Sequence, residues 1–167
     1  MVDSDLERNG RPLIALSIHA PKGSDTEPRD SYVKEVVKIL DQIGRRWSAD
    51  AVDVILAGDF NFRSLGERQA GESVKTIEEE HRALAQFPTL ELVSCWTTAH
   101  PGAPLPQTLR WSGDRTVGKT TPYHCDGIFV PHARAAGVTC EVLRAAEYTR
   151  ASDHAPVVAS LVRPAAV

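Results

Sequence analysis

Two short stretches place polar side chains two residues apart inside apolar runs: Asp59 and Asn61 in LAGDFNF, and His124 and Asp126 in YHCDGIFVP. A strand alternates its faces with every residue, so the members of each pair share a face, while Phe60 turns into the core. An acid and an amide in one row can hold a water or a metal ion and hydrogen-bond an oxyanion. Gly58, just before them, lets a ligand or another backbone come close. The plainer reading is a turn, where Asp and Asn are common. Asp126 in an apolar strand is costly unless it is paired or bound to something, and a structural salt bridge would meet that need as well as a ligand. SDHAPVV opens a further strand with Asp153 and His154; there Ser152 or Asp153 can serve as a turn residue and His154 as a satisfied core imidazole. His19 ends the run PLIALSIHAP on its less apolar face, and alone it reads as structural. The combination says more than its parts. Four segments each bring a carboxylate or an imidazole to a strand end, and in an α/β sheet such ends converge on one crevice. Carboxylates with imidazoles suit a hard divalent cation, Mg2+ or Mn2+, held through oxygen ligands and phosphate.

The elements that must position these groups follow from periodicity. Residues 12–21 read as a strand, with Ile14, Leu16 and Ile18 on one face and Ala15, Ser17 and His19 on the other. PKGSDTEPRD is a loop. SYVKEVVKILDQIGRRW carries apolar residues at 33, 36, 37, 40 and 43, a helical stripe, with Asp30 or Ser31 as its cap. DVILAGDFN reads as a second strand, apolar enough to be buried in a sheet. A polar loop over 62–73 leads to a helix in VKTIEEEHRALAQF and a short strand in FPTLELVSCW, after a stop at Pro88. Residues 97–122 form a long loop rich in Thr, Pro, Gly and Arg, a length that usually carries function. Strands are expected over 123–131, 137–148 and 152–162. Strands alternating with helices give an α/β class.

The chain has 167 residues, which suits one compact domain: a polar lead-in over 1–11 and a single domain over 12–167. With 42% hydrophobic and 25% charged residues, wholesale disorder is excluded. The 19 basic and 22 acidic residues give a net charge of −3, so no broad basic field grips nucleic acid by charge alone. A metal could still bring a phosphate to an acidic site. No apolar run approaches the roughly 18 residues of a membrane span. The opening MVDSDLERNG lacks the apolar core of a signal peptide, so a cytoplasmic location is expected. Cys95, Cys125 and Cys140 are odd in number, far apart and not in CxxC pairs, which argues against a disulfide framework or a structural zinc site.

GDFN at 58–61, HCDGIFVP at 124–131 and SDHAPV at 152–157, in this order, resemble the endonuclease/exonuclease/phosphatase superfamily, whose members include pancreatic deoxyribonuclease, exonuclease III-type repair enzymes, cytolethal distending toxin nuclease subunits and inositol phosphatases. SIHAP at 17–21 is similar to the histidine-bearing strand of the deoxyribonuclease and toxin branches. The resemblance implies a metal-dependent phosphoesterase or nuclease that hydrolyses a phosphodiester or phosphomonoester by activated water. It implies that Asp59 orients or deprotonates the water, and that Asn61 binds the scissile phosphate and the water. Asp126 would pair with His154 and fix its tautomer, and His154 would donate to the phosphate oxygens. Asp153, helped by Asp59, would hold Mg2+ or Mn2+, and His19 would be a second imidazole near the phosphate. Trp111 in TLRWSG falls where the family has substrate-contacting residues, and Arg110, Arg115 and Lys119 in the same stretch form a small basic group that could face a phosphate.

The resemblance also implies a four-layer αββα sandwich, of which this chain matches the C-terminal half. The N-terminal half should supply an Asn and a metal-binding Glu; Glu7 in DLERNG does not resemble that motif. The alternative is therefore an inactive or incomplete family fragment acting as a binding or assembly module. A generic α/β domain with structural Asp and His residues is the remaining possibility. Half a sandwich should expose the sheet face that packs on the other half. Ile14, Leu16, Ile18, Val54, Leu56, Phe129 and Val158 are the expected patch, covered by a homodimer partner or by a separate N-terminal half.

Overall fold

In the computed structural model, which describes residues 11–20, 31–62, 74–111, 121–144 and 146–162, the first strand, β1, spans Leu13–His19. The expected lead-in over 1–10, the loops over 21–30 and 63–73, the caps at Asp30 and the Ser31 side chain, and Arg115 and Lys119 lie outside the described residues. Helix α1, Ser31–Arg46, follows the apolar stripe: Val33, Val36, Leu40 and Ile43 are buried, joined by Tyr32. It leads into β2, Asp53–Asp59, which runs parallel to β1 from Leu13↔Asp53 to His19↔Asp59. A helical connection of this kind is what two parallel neighbours need.

The middle of the chain departs from its periodicity in three places. The helix expected over 74–87 divides into α2, Val74–Leu84, and a single turn, α3, Gln86–Thr89, with Pro88 inside that turn. The strand expected over 87–96 shrinks to β3, Leu92–Ser94, because the Ser94 hydroxyl accepts from Thr97 N–H and starts a helix, α4, over Cys95–Ala99. The expected loop over 97–122 contains a strand at each end of its second half, β4 (Leu109–Trp111) and β5 (Thr121–Tyr123), paired antiparallel.

The next strand, β6, spans Asp126–Pro131 and starts later than its apolar run suggests. The strand expected over 137–148 is β7, Thr139–Val142, and part of α5, Ala146–Ala151; the last strand, β8, covers only Val157–Ser160. His154 therefore lies before β8, in an isolated bridge to Leu109.

Four strands form one mixed sheet in the order β1–β2–β6–β3, with β2–β6 and β6–β3 antiparallel. One face packs under α1, α2 and α3 through Leu16, Ile18, Val54, Leu56, Leu92 and Phe129. Four rings knit this core: Phe60 meets Phe62, Phe87 and Phe129 at centroid distances of 5.8, 5.7 and 5.2 Å, and Phe87 stacks on Phe129 at 3.9 Å. Each fully buried ring contributes about 1.5–3 kcal/mol by apolar transfer. On the opposite face the antiparallel β7–β8 pair and α4 cover Ile55, Val93, Ile128 and Val130, using Cys140, Val157 and Ala159. Three layers result: helices, a sheet, and a two-stranded piece of a second sheet. All three cysteines are buried free thiols, and burial pushes the Cys95 thiol up to about 12.

The expected open apolar face is corrected by this packing. Leu16, Ile18, Val54, Leu56 and Phe129 lie on the helix-covered side, and Ile14 is half-buried on the same side of β1. What the β7–β8 pair leaves bare toward β1 is Ala15, Ser17 and His19, small or polar groups. Val158 is exposed, but it sits on β8. At the far end of β2, buried Asp53 pairs with Arg134 Nε, from the 3-10 turn His132–Arg134, and more loosely with Arg11 at 3.8 Å. Among the described residues no helix is long and apolar enough to cross a membrane.

Candidate active site

The ladders bring three of the expected groups into one row. His19 is opposite Asp59 in the parallel pairing, and Asp59 is opposite Asp126 in the antiparallel one. The row crosses β1, β2 and β6 at one end of the sheet, on the face opposite α1, α2 and α3. His19 Nε2 lies 3.8 Å from Asp59 Oδ2, with its ring largely exposed. Gly58 makes the crossing tight enough: its φ is +137°, and a Cβ there would come within 1.9 Å of the Ile18 carbonyl oxygen. Only glycine adopts that conformation at no steric cost.

Beyond Asp59 the chain turns sharply. Asn61 takes a left-handed backbone (φ 53°), a conformation Asn tolerates better than most residues. Its N–H donates to Asp59 Oδ1 at 2.7 Å, and its side-chain amide donates to the Ala20 carbonyl. Ala20 N–H in turn donates to the Asp59 carbonyl at 2.8 Å. Asn61 therefore shares the site with Asp59 through this turn and not through strand alternation. Phe60 is buried on the opposite side, as the alternation predicts.

His154 joins the row from the end of the chain. Its N–H donates to Ser152 Oγ at 3.0 Å, so Ser152 is the turn residue, and its Nδ1–H donates to Asp126 Oδ2 at 2.9 Å. That bond leaves Nε2 for another partner. One ligand atom each from Asp59, Asp126 and His154 lies within 4.8 Å of the others. Asp153 is exposed and is not part of this group. His124 precedes β6 and does not share the face of Asp126 in a strand. Its Nδ1–H donates to the Pro106 carbonyl at 2.7 Å, and burial lowers its pKa. Arg110 and Trp111 lie on β4; their side chains are outside the described part of the structure.

Sequence reasoning missed Thr108. It is fully buried, and its hydroxyl accepts from Cys125 N–H at 2.9 Å and Asp126 N–H at 3.1 Å. Its carbonyl accepts from Ala155 N–H at 2.7 Å. A lone Thr in a Pro-rich stretch carries no periodic signal that could have singled it out.

The electrostatics follow from burial and neighbours. Burial raises the Asp59 pKa above 3.8; the Asn61 N–H opposes this, the Asp126 charge adds to it, and His154 and His19 lower it. For His154, burial alone would lower the pKa and is the largest single effect. The hydrogen bond and charge of Asp126, with the charges of Asp59 and Asp153, together outweigh it, so the net shift is upward from 6.5. A raised carboxylate beside a raised imidazole places a proton acceptor and a proton donor side by side. The donor set also fits a hard divalent cation. Asp59 Oδ1 is taken by Asn61 and Asp126 Oδ2 by His154, which leaves each carboxylate a second oxygen. Two carboxylate oxygens, completed by water and phosphate, are a Mg2+-type set.

No family model and no curated protein sequence matches the chain. Solved structures do match it. An AP endonuclease from Archaeoglobus fulgidus superposes with a TM-score of 0.65 at 16% identity, over 92% of this chain and 62% of that one. The catalytic domain of Xenopus laevis APE2 gives 0.65 at 18% identity, over 89% and 49%. The 3'-5' exonuclease NExo from Neisseria meningitidis gives 0.58 at 20% identity, over 88% and 60%. The chain thus has a deoxyribonuclease I-like fold, and it spans less than two-thirds of the length of these structures.

Proposed function

We propose that this chain carries the catalytic end of a divalent-metal-dependent phosphoesterase, a nuclease-type hydrolase acting on a phosphodiester or phosphomonoester. The observation that carries the reading is the meeting of Asp59, Asp126 and His154 within 4.8 Å, with His154 Nδ1 held by Asp126. The names of the neighbours, an AP endonuclease and a 3'-5' exonuclease, support nucleic acid as the substrate class. Asp59 and Asp126 would hold Mg2+ or Mn2+ with help from Asp153, and the cation would supply charge neutralisation at the phosphate.

The chain's own residues do the rest. Asp59 takes a proton from the attacking water as the new P–O bond forms and the ester P–O bond breaks. Asn61 steadies the loop that presents Asp59 and has amide capacity left for a phosphate oxygen. Protonated His154, fixed by Asp126, donates from Nε2 to a phosphate oxygen as charge builds there. His19 stands at the exposed end of the row as a second donor, and Arg110 and Trp111 are the substrate contacts of this reading.

A separate N-terminal half is the partner this reading calls for, whether on a longer polypeptide or a separate one. The bare strip at Ala15, Ser17 and His19, beside the partial second sheet, supports it. A homodimer through this strip has less support, since the strip is not apolar. The test is hydrolysis of an abasic-site duplex and of bis(p-nitrophenyl) phosphate with Mg2+ or Mn2+. Turnover should stop in excess chelator and fall on the order of 10²–10⁴-fold in Asp59→Ala and His154→Ala. Full activity in chelator overturns the reading; no turnover with either metal favours the binding module.

A further inference from the structure

The Asp126–His154 pair is made by two segments that share no strand pairing. β6 carries Asp126, and the bend before β8 carries His154. The segment ending in β4 lies against both. Pro106 accepts from His124, Thr108 Oγ1 accepts from the N–H groups of Cys125 and Asp126, and the Thr108 carbonyl accepts from Ala155 N–H. Leu109 bridges His154 and also pairs with Tyr123. Thr108 is thus one buried residue bonded to the backbone of Asp126 on one side and to the residue after His154 on the other.

We propose that Thr108 is the positioning residue of the Asp126–His154 pair, setting the reach and angle between carboxylate and imidazole without touching substrate. The inference rests on reading that pair as catalytic. A hydroxyl has two lone pairs, and both are used by adjacent backbone donors. Thr108→Val keeps the shape but takes this acceptor from two N–H groups, that of Cys125 buried and that of Asp126 part-buried, so the start of β6 must shift or open to water. A displacement of about 1 Å at a catalytic group can lower a rate by up to about 10²-fold.

The direct test is the 15N and 1H signature of His154 at fixed pH, because an Nδ1–H bonded to a carboxylate gives one tautomer and a downfield proton. In Thr108→Val this proton should broaden or vanish and the ring nitrogens should report mixed tautomers, while kcat falls about 10-fold to 10²-fold with KM little changed. Thr108→Ser restores the hydroxyl and should restore both. Leu40→Ala, a core cavity in α1 far from the pair, should lower stability and leave the signature alone. In the unaltered chain, the amides of Cys125, Asp126 and Ala155 should exchange with solvent at closely similar, slow rates.

The inference fails if Thr108→Val keeps the His154 signature, if Leu40→Ala moves it equally, or if the Asp126 amide exchanges rapidly in the unaltered chain. The last measurement decides even where Thr108→Val does not fold. Absence of turnover in every variant would count against the phosphoesterase reading, while the His154 signature would still decide the role of Thr108.

Discussion

Asp59 and Asp126 occupy directly opposed positions in the antiparallel β2–β6 ladder, so two carboxylates of like charge are held side by side. Opposed side chains in such a ladder have Cβ atoms about 4.5–5.5 Å apart, and like charges there are destabilising. Under the proposed function, the same closeness is what would hold the cation.

The first consequence is that Asp59→Asn should stabilise the metal-free protein while abolishing turnover. Burial, with the charge of Asp126, raises the folded-state pKa of Asp59 above its ordinary 3.8. The folded state then binds its proton more tightly than the unfolded state, so stability falls as pH rises from 3.8 through the raised value. An amide removes that loss and still accepts from Asn61 N–H. Thermal melts in chelator should show a higher Tm for the variant at pH 7, with the gap closing at acid pH. A lower Tm at pH 7 would contradict it.

Rate should depend on pH as a bell, since the proposed reaction needs ionised Asp59 and protonated His154. The alkaline limb should lie above 6.5, from the direction of the His154 shift. Stability gained from protonated His154 is fully present below 6.5 and is lost as pH rises through the raised value. In Asp126→Asn the burial of His154 is no longer outweighed by its main partner, so the alkaline limb should move to lower pH. A limb that stays put in kcat/KM profiles would show that His154 does not set it.

Gly58→Ala should be severe although it adds one methyl group. The new Cβ would overlap the Ile18 carbonyl at 1.9 Å, and the backbone would stay in a region that side chains avoid. Strain of that kind costs about 1–3 kcal/mol before the overlap is counted. Urea melts should show at least that loss. Turnover should drop as well, because β1 and β2 carry His19 and Asp59 on either side of the overlap.

Arg134→Met separates stability from chemistry. It leaves buried Asp53 without its closest partner, at the end of β2 opposite the site. Breaking a buried pair from one side typically costs about 3–5 kcal/mol. Chemical denaturation should register that loss, with kcat nearly unchanged under conditions where the variant is folded. A large change in kcat would tie the two ends of β2 together.

Local patterns in the sequence reach as far as local forces decide. The stripe through Val33, Val36, Leu40 and Ile43 foretells the buried face of α1, and alternation foretells β1 and the inward turn of Phe60. Alternation also separates the two faces of the sheet, but it does not say which one α1, α2 and α3 cover; it is thus equally compatible with Leu16, Val54 and Phe129 on an open patch and with their place in the core. Ser94 is both an acceptable strand residue and a strong helix cap, and the cap wins. The β4–β5 pair and the bonds of Thr108 join distant stretches of chain, so no window of neighbouring residues contains them. Asn61 reaches the site through a left-handed turn, which period-two reasoning cannot represent.

The row His19–Asp59–Asp126 has a kinetic consequence. Its first two members can meet once β1 and β2 pair around α1, a comparatively local event. The third lies on β6, which follows α2, α3, β3, α4 and the β4–β5 pair along the chain, and closing so long a loop is slow. During refolding, helical signal should return before turnover does, and the lag between them times the docking of β6 against β2.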